Sequence, residues 1–352
     1  MKDIQGALYA QIKGHFPCEK RRTELICNMI VGLLKLTHSG LSKWSKALPG
    51  EKDLEAKYKQ LQRFARYFRF SPRLYCKVIW QLYGQGKQVY LTLDRSEWKM
   101  RGKWVEVTMI GIAHQGMSVP LLWQVYNGQG NTAYSTRKAL LSCFDKWIER
   151  KPNQHIWWVA DREYIGKDWF KELLLRKMQF CIRLRKNVTL IHQHKKIKLH
   201  ELFECPTLRT LSKPRKLYGT MLYLAGQKLP DGDYFIVGSA TKTKRLAHIY
   251  EHRWQIETLF AAFKSRGFNL ESCRVNLAKR IKTLIFVLSL SAVWALRTGQ
   301  WLLEEGKSIP LKTFKDKPAE KWKSLFRWGL DHLQNLTLNN LDYKQVIQLC
   351  HV

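Results

Sequence analysis

Residues 246–268, LAHIYEHRWQIETLFAAFKSRGF, decide how the rest of the chain is read. No Gly or Pro interrupts the run from Leu246 to Arg266, Gly267 follows as a stop, and apolar residues recur at helical spacing, so the stretch predicts one helix. On a wheel at ~100° per residue with Glu257 at zero, Tyr250 falls at about +20°, Arg253 at about −40° and Lys264 at about −20°. These four share one narrow face, which at ~1.5 Å per residue runs for roughly 21 Å. A carboxylate aligned with two cations and a phenol suits metal-dependent chemistry on a phosphodiester backbone. The acid can hold a divalent ion, and its neighbours can hold phosphates on either side. The plainer reading of such a helix is a solvated face with ordinary ion pairs, so the upstream sequence has to decide.

Upstream, the period changes from helical to β. QVYLTL (88–93) is a short apolar run expected to end at Asp94, and WVEVTMIGIAH (104–114) and SVPLLWQVY (118–126) follow as strands around a Gly-containing turn. A helix over 133–150 leads to HIWWVA (155–160), which suits a buried strand ending at Asp161. A helix over 165–177 and QFCIRLR (179–185) complete the unit. Three strands, helix, strand, helix, strand is the order of the RNase H-like fold. Asp94 and Asp161 are each expected just past an apolar strand, where α/β sheets bind ligands. A turn or helix cap is the ordinary alternative for such an aspartate.

Tyr250, two residues, Arg253, three residues, Glu257, six residues, Lys264 resembles the Y-R-E-K signature of DDE transposases of the insertion-sequence-4 family. WQIE (254–257), LTLDRSEW (91–98), VADREYIGKDWF (159–170) and CIRLRKN (181–187) look like the surroundings of that family's acids, so the likeness covers residues 90–268. The resemblance implies an α/β protein with an RNase H-like catalytic core (86–187 and 243–305) and an inserted β-rich subdomain (188–242). A helical DNA-binding domain (1–85) would precede the core and a C-terminal helical region (306–352) would follow it. Asp94, Asp161 and Glu257 would be the catalytic acids and the ligands of two Mg²⁺ ions, with Mn²⁺ as a substitute. Asp94 is the expected shared ligand. Tyr250, Arg253 and Lys264 would hold the DNA backbone, with Glu97, Glu163 and Asp168 as reserve ligands better explained as surface ion pairs. The implied reaction is cut-and-paste transposition: water frees a 3′-hydroxyl at the element's end, and that hydroxyl attacks target DNA. Expected partners are terminal inverted repeats, target DNA and a second copy of the chain on the paired ends, in a bacterial cytoplasm at the nucleoid. In some relatives an aromatic of the insert holds a flipped base during hairpin formation. No Trp lies between 170 and 253, which leaves Tyr218, Tyr223, Tyr234 and Phe235.

Composition agrees with a polyanionic partner. The 352 residues carry 61 Lys+Arg against 28 Asp+Glu, a formal charge of +33, and this excess is spread along the chain rather than gathered in one amphipathic terminal helix. A hydrophobic content of 45% with 14 Trp excludes a disordered chain. Eight Cys without a CxxC pair argue against a zinc ribbon or disulfide framework. The N-terminus, MKDIQGALYAQIKGHF, lacks an apolar signal core, and the apolar run LIFVLSLSAVWAL (284–296) is shorter than the ~20 residues that span a bilayer.

Residues 1–85 read as helical. In SGLSKWSKALPG (39–50), Ser39 or Ser42 is expected to cap a short helix ended by Pro49-Gly50. KDLEAKYKQLQRFARYFR (52–69) then carries Lys57, Lys59, Arg63, Arg66 and Arg69 among apolar residues. Short helix, turn, basic helix is a helix-turn-helix-like pattern, and Lys57, Lys59, Arg63 and Arg66 are its candidate DNA contacts. A helical bundle with a basic face is the alternative. His192, His194 and His200 lack zinc-ligand spacing and read as a solvated basic strand. Residues 270–305 and 318–335 read as further helices. Two other functions compete with transposition: an inactive DNA-binding protein derived from a transposase, and an RNase H-like nuclease. The intact acids weigh against the first. The long insert and the basic N-terminal region weigh against the second.

Overall fold

In the computed structural model, which describes residues 2–130, 132–313, 320, 321 and 323–339, five helices precede the first strand. They are α1 (Lys2–His15), α2 (Lys20–Leu36), α3 (Leu41–Ala47), α4 (Leu54–Tyr67) and α5 (Pro72–Tyr83). Asp53 caps α4 by accepting the Ala56 amide at 2.6 Å, and Ser71 caps α5 just before Pro72. Neither Ser39 nor Ser42 caps α3, whose N-cap is Gly40. The buried Ser39 hydroxyl donates instead to the Asn269 carbonyl at 3.1 Å.

β1 (Gln88–Met100), β2 (Lys103–His114) and β3 (Met117–Asn127) form an antiparallel meander. The expected strand end at Asp94 is therefore wrong. Residues 94–100 continue to pair with β2, and the two-residue turn Arg101–Gly102, both at positive φ, closes the hairpin. The polar letters after Asp94 belong to a two-faced strand whose Trp98 and Met100 are fully buried.

After α6 (Tyr134–Trp147), β4 (His155–Ala160) lies parallel to β1. After α7 (Lys167–Leu175), β5 (Gln179–Arg183) lies parallel to β4. Within 188–242, β6 (Thr189–His192) and β7 (Lys195–Lys198) pair, among the described residues, only with each other. β8 (Arg209–Thr210), β9 (Arg215–Leu217), β10 (Thr220–Lys228) and β11 (Tyr234–Ser239) join the main sheet, because β11 pairs antiparallel with β5. The sheet order is β3-β2-β1-β4-β5-β11-β10-β8, with β9 on β10.

The stretch expected as one helix is two: α8 (Leu246–Glu251) and α9 (Trp254–Phe263). At the break, the amides of Arg253, Gln255 and Ile256 bond carbonyls three residues back instead of four. α8 seats Leu246, Ile249 and Tyr250 with Trp157, Val159, Cys181 and Val237 of β4, β5 and β11, whereas α9 packs over β1, β2 and β3. A straight helix cannot follow a twisted sheet across that many strands; the break lets each half bury its own apolar set.

α10 (Ala278–Glu304) contains the run 284–296 and is long and apolar enough to cross a membrane, yet most of it is buried within the protein. Its Phe286 is ringed by Phe16, Phe68, Phe70 and Tyr75 at centroid distances of 5.5, 6.0, 4.5 and 5.8 Å. The N-terminal helices therefore share one core with α10 and β3. The helix expected from 270 starts at 278 after a short turn. The one expected from 318 is α11 (Leu325–Asn339). The remainder of the expected C-terminal helical region, residues 314–319, 322 and 340–352, lies outside the described residues.

Candidate active site

Leu93 stands opposite Ala160 in the parallel pairing of β1 with β4, so Asp94 and Asp161 are the next residues on neighbouring strands. Strands in such a pair lie ~4.8 Å apart. Side chains alternate along a strand, which puts Asp94 on the face shared by Tyr90 and Trp98. That is the face α8 and α9 cover, with Phe260 of α9 edge-on to Trp98 at 6.4 Å.

The break between these helices delivers the polar groups. The Tyr250 hydroxyl donates to Asp161 Oδ1 at 3.3 Å. Arg253, whose side chain is 7% exposed, donates from Nη1 to Asp94 Oδ2 at 3.1 Å and from Nη2 to Glu257 Oε1. The second Asp94 oxygen accepts the Arg95 amide at 2.8 Å. Lys264 is half-buried and donates to the Glu97 carbonyl at 3.1 Å. The structure thus brings Asp94, Asp161, Glu257, Tyr250 and Arg253 together, and Lys264 adjoins them through β1. Tyr250 and Arg253 point inward onto the acids, not outward along a solvated face.

Burial pushes the Asp94 carboxyl up to about 7; Arg253 and the Arg95 amide offset this in part, while Asp161 and Glu163 add to it. Burial likewise holds the Tyr250 phenol well above its ordinary range, so it remains a donor at neutral pH. Three carboxylates are hard oxygen donors of the kind Mg²⁺ prefers. Asp94 and Asp161 side by side, with one guanidinium shared between Asp94 and Glu257, leave three acids facing a single cation. The donor chemistry therefore fits a divalent cation. Among the described residues no three His, Cys, Asp or Glu side chains are gathered into a metal cage, Glu257 being turned toward Arg253.

A neighbouring network escaped the sequence reading. The Arg95 guanidinium contacts Glu97, lies 2.6 Å from Glu163 and reaches Glu106 at 4.0 Å. Glu163 also accepts the Thr132 amide at 2.9 Å, and Glu97 the Gly130 amide at 3.3 Å. Glu97 and Glu163 are thus committed to a half-buried ion cluster rather than to surface pairs, while Asp168 is exposed in the first turn of α7. The available signal was the alternation Arg95, Glu97 in LTLDRSEW, which places both on one side of a strand that continues past Asp94.

An open cavity of about 920 Å³ lies beside Asp161 and is lined in part by Arg137, Arg162, Arg185, Lys186 and Tyr218. Arg137 stacks over Tyr164 and Trp169, and its buried Nε and Nη1 have no hydrogen-bond partner among the described residues. Of the insert aromatics, Tyr218 reaches this cavity. Tyr234 donates to Glu204 at 2.8 Å, and Tyr223 and Phe235 pack in the cluster of Tyr250. Away from the acids, Lys59, Arg63 and Arg66 are exposed on one side of α4, with Lys57 half-exposed and Lys59 paired to Glu55 at 2.6 Å.

The family described as the transposase DDE domain matches residues 80–294, well over half of the chain. No curated protein matches the chain. Among solved structures, the cryo-EM structure of a piggyBac transposase synaptic complex with hairpin DNA aligns with 98% of this chain and 81% of that chain, at 11% identity and a TM-score of 0.41. A likeness that loose carries no weight for the site. The span of the family match, which includes Asp94, Asp161, Glu257 and the break between α8 and α9, shows that the chain belongs to the transposase DDE domain family.

Proposed function

We propose that this protein cuts DNA at the ends of its own insertion element and joins the freed 3′ ends to target DNA, using Asp94, Asp161 and Glu257 as its acids. The observation that carries this is the adjacency of Asp94 and Asp161 on parallel strands, with Glu257 tied to Asp94 through Arg253. The order β3-β2-β1-β4-β5, antiparallel and then parallel, supports an RNase H-like core of the insertion-sequence-4 type. The net charge of +33 and the Arg- and Lys-lined cavity beside Asp161 support DNA as the substrate.

Within that reading each side chain has a task. The three carboxylates offer hard oxygen ligands from two strands and one helix. Bound divalent ions of the Mg²⁺ kind would activate the attacking oxygen and stabilise the leaving one. Tyr250 fixes the orientation of Asp161 through its hydroxyl, and its burial keeps that proton in place. Lys264 ties α9 to β1 next to Asp94. Arg162 and Arg185 are exposed and available to backbone phosphates, and Lys186 beside them is paired to Asp233 at 2.9 Å. The basic side of α4 would read the terminal repeat, with a second copy of the chain on the other end.

The test is a gel shift beside a Mg²⁺-dependent nicking assay on a duplex carrying the element's terminal repeat. Asp94→Ala, Asp161→Ala and Glu257→Ala should each retain most binding and lose cleavage. Cleavage by Asp161→Ala at the wild-type rate would remove the D-D-E assignment.

A further inference from the structure

We propose that Arg253 serves as a built-in cation that occupies the acid site until DNA arrives, so that divalent metal and DNA bind this protein cooperatively. The proposal rests on the metal-site reading above and adds to it a resting state.

The geometry is that of a counter-ion. Arg253 is nearly sequestered from water and spans two of the three acids, one Nη on Asp94 and the other on Glu257. Its third nitrogen, Nε, is buried without a hydrogen-bond partner among the described residues. The guanidinium is therefore held by its charge, with one of its donors unsatisfied. A planar fork of this kind matches a phosphate as well as it matches a carboxylate. Asp94 has no oxygen left free of a donor, since Oδ1 takes the Arg95 amide and Oδ2 takes Arg253. A divalent ion seated between Asp94 and Glu257 would face a fixed positive charge in a half-dry site, where like charges repel far more strongly than in water. Metal occupancy and the Arg253 bridge then compete. A backbone phosphate beside Asp94 offers the guanidinium another partner, and its departure vacates the carboxylates. Arg253 sits on the short turn between α8 and α9, and a change of its side-chain rotamers is enough to move the guanidinium off the acids. By linkage, duplex must then tighten metal binding by the factor by which metal tightens duplex binding.

The experiment measures Mn²⁺ binding to the full chain by electron paramagnetic resonance, without DNA and with a duplex carrying the terminal repeat. Wild type without DNA is expected to bind weakly. Arg253→Gln without DNA should bind about 10- to 100-fold tighter, and Arg253→Gln combined with Asp94→Asn should lose that gain. Arg253→Lys, which keeps the charge but cannot bridge both acids, should fall between wild type and Arg253→Gln. If DNA-free wild type binds Mn²⁺ through Asp94 as tightly as Arg253→Gln does, the proposal is overturned while the metal site stands. If Mn²⁺ binding is indifferent to Asp94 with and without duplex, the metal-site reading falls and the proposal with it. A crystal of the wild-type chain soaked in Mn²⁺ gives a check that needs no variant. Mn²⁺ on Asp94 with Arg253 displaced supports the exchange, and Mn²⁺ there with Arg253 still bridging Asp94 and Glu257 refutes it.

Discussion

Asp94→Asn should relieve the metal-free protein of a penalty that grows with pH, although it destroys the proposed chemistry. An ordinary aspartate titrates near 3.8, and burial lifts Asp94 to about 7. That displacement costs the ionised form at most about 4 kcal/mol in the folded state. The sign follows from proton linkage. Between the unfolded and folded values the native protein binds more protons than the unfolded chain, so stability falls as pH rises. The favourable state is fully present below about pH 4 and is lost as pH climbs through about 7. Asn cannot ionise and escapes the loss, and although its NH2 faces one of the two donors that Asp94 accepts, that cost does not vary with pH. The assay is urea denaturation of both proteins in chelator from pH 5 to 8.5, each profile taken as a difference to cancel all other groups. The Asn variant should gain about 2–4 kcal/mol on the wild type between pH 5 and pH 8.5. Added Mg²⁺ alone should leave most of that difference in place, because Arg253 holds Asp94 and Glu257 in the DNA-free chain. Parallel profiles for the two proteins would show that the site does not penalise an ionised Asp94.

Two further perturbations test the scaffold. Arg95→Met should cost about 3–5 kcal/mol, because it leaves Glu97, Glu106 and Glu163 together without their cation; adding Glu163→Gln should recover part of the loss in the same urea assay, and a cost near zero would reduce the cluster to solvated pairs. Gly329→Ala should destabilise by about 3 kcal/mol, since a Cβ there runs into the Ala295 carbonyl oxygen and α11 can no longer approach α10; Gly14→Ala, where nothing lies within 4 Å, is the control that should be neutral or better.

The parts of the fold that periodicity could reveal were those with a buried apolar run. HIWWVA and WVEVTMIGIAH are strands because their side chains fill a core on both faces, and that shows in the letters. β1 was cut short because its second half alternates Trp98 and Met100 with charged residues, which resembles a terminus until the partner strand is known. The attachment of β11 to β5 joins residues 237 and 183 across an intervening hairpin, and no local pattern encodes such a pairing. The division between α8 and α9 contains neither Gly nor Pro. Propensity favours a continuous helix there, and tertiary packing over two groups of strands overrides it. Ser39 fails as a cap for a similar reason: its hydroxyl has a long-range partner at Asn269.

For the site, helical angles grouped the polar residues of 246–268 and left their direction open. A wheel states that Tyr250, Arg253 and Glu257 share a face; it cannot state whether that face meets solvent, DNA or the protein's own acids. The two aspartates settle the matter. Adjacent strand positions place Asp94 and Asp161 side by side, and neighbouring carboxylates resist joint ionisation unless a cation intervenes. Arg253 contacts Asp94 and shares its one guanidinium with Glu257, which falls short of neutralising three acids, while burial is the chief cause of the raised Asp94 value. The deficit gives the site its appetite for a divalent ion. It also explains why the residue best shaped to grip a phosphate lies folded inward in the DNA-free chain, where the acids compete for it. The sequence lists these charges, but their competition depends on burial at the end of β1 and on a helix break that only the packed sheet imposes.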